Sequence, residues 1–152
     1  MNKITPFIWF DSNAEDAANF YFSIFPGSRK LHELRTTDAG PGPSGALLAI
    51  DIEIAGQQVT FLNGGPGHPL TDAFSFVIRC ESQEEIDDYW SKLTDCGSEV
   101  ACGWLKDKFG MSWQVVPARI YELVSHPGAM RAMITMKKLD IATLEQAASQ
   151  AS

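Results

Sequence analysis

Residues 13–25 read NAEDAANFYFSIF, and residues 82–93 read SQEEIDDYWSKL. Shifted by 69 positions, Asn13 falls on Ser82, Asp16 on Glu85, Ala17 on Ile86, Tyr21 on Trp90 and Ile24 on Leu93. Each stretch opens with a residue that can cap a helix. Acids follow in the first turn, where the positive end of the helix dipole favours them. In the first, Ala17, Ala18, Tyr21, Ile24 and Phe25 recur at helical spacing and predict one apolar face. Pro26-Gly27 stops that helix. In the second, Ser82 and Glu85 form a capping box, and Ile86, Tyr89, Trp90 and Leu93 make the apolar face.

The segments around these helices repeat as well. Before the first, residues 4–10 are a short apolar run, read as a strand. After it come strands at 28–37 and 46–54, separated by the Gly/Pro loop at 38–44. Ala55-Gly56 turns the chain into a strand at 57–62. The second half offers a strand at 73–80, short strands near 98–102 and 104–107, a turn at Lys108-Phe109-Gly110 and a last strand at 111–116. The order is strand, helix, three strands, stated twice. Such a repeat predicts an α+β fold of two tandem βαβββ units forming a curved mixed sheet. The units span about 3–65 and 72–117 of a domain at 3–117. Residues 118–152 read as a helical C-terminal extension. In it Pro117 can start a helix through Leu123, Pro127-Gly128 interrupts, and 130–136 and 141–148 are helical.

Composition narrows the functional classes. The chain has 152 residues, 45% apolar and 20% charged, which suits a globular domain. Twelve Lys+Arg stand against 19 Asp+Glu, a net charge of −7, so the basic face that a nucleic-acid binder needs is missing. No apolar stretch is long enough to span a bilayer, and no signal peptide is read. Nucleic acid and membrane are excluded as expected partners. Cys80, Cys96 and Cys102 are odd in number and lack CxxC spacing, so reduced thiols in a cytoplasmic protein are expected.

Particular strings carry a resemblance. Residues 4–10 (ITPFIWF), Asn19-Phe20-Tyr21, residues 62–66 (LNGGP) and above all residues 102–117 (CGWLKDKFGMSWQVVP) resemble the PhnB-like branch of the vicinal oxygen chelate superfamily. That superfamily includes glyoxalase, bleomycin-resistance and dioxygenase proteins, and this branch often bears a 3-demethylubiquinone-9 3-methyltransferase label. The resemblance implies the glyoxalase/bleomycin-resistance fold and a small-molecule pocket. It also implies that the superfamily's metal-ligand positions fall on Thr5, near Ser75, on Gln114 and at or next to Asn63. These neutral groups do not compete with water for a first-row divalent ion. No metal or other cofactor is therefore expected. The methyltransferase label is set aside, because neither glycine-rich segment, around Gly40–Gly42 or Gly64–Gly67, leads into a helix as a cofactor-binding turn would.

The expected ligand set is Thr5, Phe7, Trp9, Asn63, Ser75 and Gln114, converging on one cavity between the two units with Cys102 near its rim. Thr5, Phe7 and Trp9 share one strand face by alternation, while Trp113 and Gln114 point to opposite faces. Cys102 is the candidate nucleophile, with Lys106 as its sequence-near cation; a buried, unreactive thiol is the plainer reading. His32, His68 and His126 show no metal-ligand spacing. The expected function is binding of a small molecule by a homodimer, the apolar residues of the extension supplying surface to cover. A metal-dependent lyase, isomerase or dioxygenase is one alternative, and a structural or regulatory dimer with a vestigial pocket is another.

Overall fold

The computed structural model describes residues 2–40 and 42–150, in two compact units, Met1–Leu70 and Thr71–Ser152. The first contains β1 (Phe7–Phe10), α1 (Ala14–Ile24), β2 (Arg29–Arg35), β3 (Leu47–Ile54) and β4 (Gln57–Asn63). They form one mixed four-stranded sheet in the order β1-β4-β3-β2, with β1 parallel to β4 and the other pairs antiparallel. Alternation sorts the side chains between its faces. Ile8, Phe10, Ile50, Ile52, Ile54, Val59 and Phe61 are buried, as are Ala14, Ala17, Ala18, Tyr21 and Ile24 of α1. Tyr21 meets Phe61 edge-on, and Phe61 packs on Phe10 at 4.8 Å. The other face carries Phe7, Trp9, Ala49, Asp51, Thr60 and Leu62, none of them fully buried.

Two local expectations change here. The first strand begins at Phe7 rather than at residue 4, because Pro6 has no N–H to donate; its carbonyl accepts from Thr60 N at 2.9 Å and ends the pairing. Asn13 occupies the cap position of α1 without a side-chain bond. Asn63 replaces it, its Oδ1 accepting from Ala14 N, 49 positions earlier in the chain, at 2.9 Å.

The second unit repeats the plan. Its elements are β5 (Phe76–Cys80), α2 (Gln83–Thr94), β6 (Ser98–Glu99), β7 (Trp104–Lys106) and β8 (Ser112–Pro117), with sheet order β5-β8-β7-β6 and β5 parallel to β8. Cys80, Leu105, Trp113 and Val115 are buried on the α2 side with Ile86, Trp90 and Leu93. Ser82 Oγ accepts from Glu85 N at 3.2 Å, the half of the expected capping box that forms.

The extension adds α3 (Ile120–Val124), α4 (Pro127–Met133) and α5 (Ile141–Ser149) to this unit. Pro117 ends β8 instead of opening a helix. Pro127 opens α4 instead of breaking one, at the first-turn position where its missing N–H costs nothing. Ile120, Leu123, Leu139 and Leu144 close over Val116 in a small core, with Met133 and Met136 packed against it. Backbone bonds from Cys102 N to Met136 O and from Gly103 N to Lys137 O, both 2.8 Å, tie the segment before α5 to the turn between β6 and β7. Gln83 adds a two-way grip, donating to Leu139 O and accepting from Ile141 N. Much of the extension's apolar surface is therefore used within its own unit, leaving Tyr121, Met130 and Ile134 exposed. Among the described residues, no helix is long and apolar enough to cross a membrane.

Candidate functional site

In the first unit the strings 4–10 and 62–66 interlock. Trp9 Nε1 donates to Gly65 O at 2.9 Å, and the indole lies so close over Gly64 that a Cβ there would overlap the ring. His68 covers Trp9 with ring centroids 4.2 Å apart. Gly64 and Gly65 continue the attachment through Gly64 N to Phe10 O and Gly65 N to Asp11 O. Beside this clamp, at the end of the sheet, lies an open depression of about 960 Å³ lined in part by Trp9, Asp11, Glu15, Arg35, Leu47 and Asn63. Trp9 and Asn63 of the expected ligand set thus border one depression. Thr5 and Phe7 are not in its lining: Thr5 is half-buried ahead of β1, and Phe7 is 62% exposed. Asn63 already has both ends of its amide engaged, since Nδ2 also donates to Leu47 O at 3.2 Å.

In the second unit Gln114 Nε2 donates to Ser75 Oγ at 3.0 Å, bringing together the two residues expected there. The register places Val77 and Trp104 on either side of Gln114. Trp113, next in sequence, is buried on the opposite face. Among the described residues nothing donates to Gln114 Oε1, and the Ser75 hydroxyl proton is unclaimed. One acceptor and one donor therefore sit together on the face turned away from α2, next to a valine and an indole.

The turn after β7 has a structural task. Asp107 is buried, yet its Oδ1 accepts from Phe109 N and Met111 N at 2.9 and 3.0 Å, and its Oδ2 accepts from Trp113 Nε1 at 2.9 Å. Gly110 supplies the left-handed φ of +85° that closes the turn. Cys102 is half-buried in its own left-handed turn, φ +58°, held by the bond to Met136 O. Cys80 is the chemically quiet thiol: burial, with Glu85 and Glu81 nearby, pushes it up to about 12.

The sequence reading passed over Asp51 and Thr60 and weighed His32 only as a metal ligand; the three lie in one register row across the helix-free face of the first unit. The alternation of 46–54 was the available signal, since it puts Asp51 opposite the buried isoleucines. Strand pairing, which the sequence does not state, was needed to bring the three side chains together.

The family described as 3-demethylubiquinone-9 3-methyltransferase matches residues 2–116. The chain belongs to this family. The PhnB protein from Bacillus cereus is 34% identical, with a TM-score of 0.67 over 76% of this chain and 99% of its own. Protein PA1353 from Pseudomonas aeruginosa is 18% identical, with a TM-score of 0.63 over 77% and 98%. FosX from Listeria monocytogenes, a fosfomycin resistance protein solved with Mn(II) and sulfate, is 13% identical, with a TM-score of 0.53 over 80% and 94%. The last two are similar in fold. No curated protein matches. The chain is thus a PhnB-like member of the vicinal oxygen chelate superfamily with the glyoxalase/bleomycin-resistance fold. The α3–α5 extension lies beyond the matched segment.

The superfamily's metal fits poorly on the residues present. Among the described residues, no group of three or more His, Cys, Asp or Glu is placed to hold an ion. The positions that the resemblance assigns are Thr, Ser, Asn and Gln, and the Asn63 amide is engaged at both its oxygen and its nitrogen. Neutral oxygens alone are a weak set for a transition metal.

Proposed function

We propose that this PhnB-like chain binds a small molecule without the superfamily's metal, and that Gln114 and Ser75 orient the ligand on the helix-free face of the second unit. The observation that carries this reading is the Gln114–Ser75 pair beside Val77 and Trp104. A few placed polar groups on an apolar floor are the usual make-up of a small-molecule site. In the first unit, Trp9 borders the depression, Phe7 at the start of the same strand and Thr5 just ahead of it contribute from outside its lining, and Asn63 mainly holds the wall. Cys102 serves the turn rather than chemistry. Metal-dependent turnover is the weaker reading because of the donor set, and methyl transfer is left out: residues 42–46 run into β3 and 64–67 run on toward β5, neither into a helix. The working form is a homodimer, a reading supported by the exposed apolar side chains Phe7, Leu34, Val77 and Ile134.

A ligand screen by protein-observed NMR on the wild type and on Gln114→Leu tests the site. The variant should bind the same compound about tenfold more weakly, the loss of one ligand hydrogen bond, while Tm changes little. Equal affinity would remove Gln114 from the site. Elemental analysis checks the metal: near one transition-metal ion per chain overturns the metal-free reading. Light scattering at 16.7 kDa in micromolar solution would do the same for the homodimer.

A further inference from the structure

Register and alternation set out the helix-free face of the second unit in rows. Trp104 stands opposite Gln114, and Lys106 stands opposite Ser112. Leu105 and Trp113, which lie between them along the two strands, are buried on the α2 side. Lys106 and Ser112 therefore share the face of the Gln114–Ser75 pair. Opposite residues of an antiparallel pair are about 5 Å apart, and diagonal neighbours such as Lys106 and Gln114 about 7–8 Å, within reach of a long side chain.

Two of these side chains lack the partner their chemistry calls for. Ser112 is only 2% exposed, yet among the described residues its hydroxyl makes no hydrogen bond. A buried hydroxyl normally has one. Lys106 is half-buried and, among the described residues, has neither an ion pair nor a side-chain hydrogen bond. The neighbouring acids are turned away from it. Glu99 of β6 accepts from Trp90 Nε1 at 3.1 Å on the α2 side, and Asp107 is buried with its own donors. Gln114 Nε2 spends one of its two hydrogens on Ser75, whose own proton is free. Donors thus outnumber acceptors here, and one of the donors is a cation.

We propose that this face takes a ligand with a single carboxylate on a flat apolar body. Lys106 and Ser112 hold the carboxylate beside the Ser75 hydroxyl, and the body lies against Trp104. Trp104 and Lys106 are two residues apart on one strand, about 7 Å, which is close to the length of an aromatic carboxylate. One lysine balances one negative charge, so a carboxylate suits the site better than a doubly charged head group. Arg79 also lies on this face, but it is exposed and stands opposite Val116, at the end that the extension covers. The inference rests on the Gln114–Ser75 site proposed above and adds the charge of its ligand.

The test uses benzoate and its neutral counterpart benzamide on the full chain, followed by NMR. Both probes should shift the Gln114 side-chain amide and the Trp104 indole signals, with benzoate bound about tenfold more tightly. Lys106→Gln should remove that preference by weakening benzoate alone, and Lys106→Arg should keep most of it. Arg79→Gln should change benzoate affinity by no more than about twofold, as expected for a distant, screened charge. Phenylphosphonate should bind no more tightly than benzoate. Equal affinity of the wild type for the two probes, with the Gln114 and Trp104 shifts retained, overturns the carboxylate inference and leaves the Gln114 site standing. An undiminished preference in Lys106→Gln, or an equal loss in Arg79→Gln, overturns it too. If neither probe moves those signals at millimolar concentration, the inference and the site beneath it fall together.

Discussion

The two units share a topology and differ in what closes them. In the first, closure is long-range: Asn63 caps a helix 49 residues earlier in the chain, and Trp9 reaches the Gly64-Gly65 turn 56 residues later. In the second, closure is local: Ser82 caps its own helix, and Asp107 gathers three donors from the six residues that follow it. Both arrangements use an indole N–H as a tie, Trp9 to a backbone carbonyl and Trp113 to a carboxylate. A repeated backbone plan therefore leaves the choice of fastening open.

The buried carboxylate should be the most expensive fastening to remove. Asp107→Ala leaves Phe109 N, Met111 N and Trp113 Nε1 without their acceptor in a closed site. Unpaired buried donors and a lost charge-assisted network give an expected destabilisation of about 4 kcal/mol in denaturant unfolding. Asp107→Asn, which keeps acceptor capacity, should lose clearly less. A cost below about 1 kcal/mol for Asp107→Ala would mean that the turn is held by Gly110 and the sheet alone.

The corresponding break in the first unit is steric. Gly64→Ala puts a methyl group into the Trp9 ring, an overpacking with an expected cost of about 2–3 kcal/mol. Because Trp9 must move, its emission should change along with stability. Trp9→Leu in the same background should recover part of the loss, by giving the methyl room. No recovery in the double variant would separate the glycine requirement from the indole.

How much of this was legible in the sequence follows the same division. The second unit's helix start was readable from Ser82 because cap and helix are adjacent, and the helix faces were readable because their period is local. Asn13 misled at the first helix because the side chain that does the capping lies a whole sheet away. Pro117 and Pro127 misled because a proline is tolerated both at a strand end and in a first helical turn, and only packing decides. The Gln114–Ser75 contact came from family positions, whereas the His32–Asp51–Thr60 row needed strand register. The local and remote caps also make a direct measurement. Ser82→Ala should cost about 1 kcal/mol, and Asn63→Ala about 2 kcal/mol, since it removes a cap and the bond to Leu47 O together. Equal costs would mean that the long reach of Asn63 adds nothing beyond an ordinary cap.

The smallest expected effect distinguishes the units by acid. The second unit alone carries the extension, and two aspartates hold its approach to α2. Hydrogen bonds from Thr143, to the N-cap carboxylate of α5, hold Asp140 below its ordinary range. The hydrogen bond from Lys138, then that from Gln83, does the same for Asp87. A carboxyl with a depressed folded-state pKa contributes stability above its unfolded value, near 3.8 for both, and loses it as pH falls through the depressed value. Both side chains are well exposed, so the contribution is modest and screened by salt. Hydrogen exchange between pH 5 and about 3 should therefore show Ile141–Ser149 losing protection before the first unit's β3 and β4 do. Asp140→Asn and Asp87→Asn together should bring the early loss to pH 5 and flatten its pH dependence. If the two regions open in step at every pH, these carboxylates are not what keeps the extension docked, and the Val116, Leu139 and Leu144 core holds it unaided.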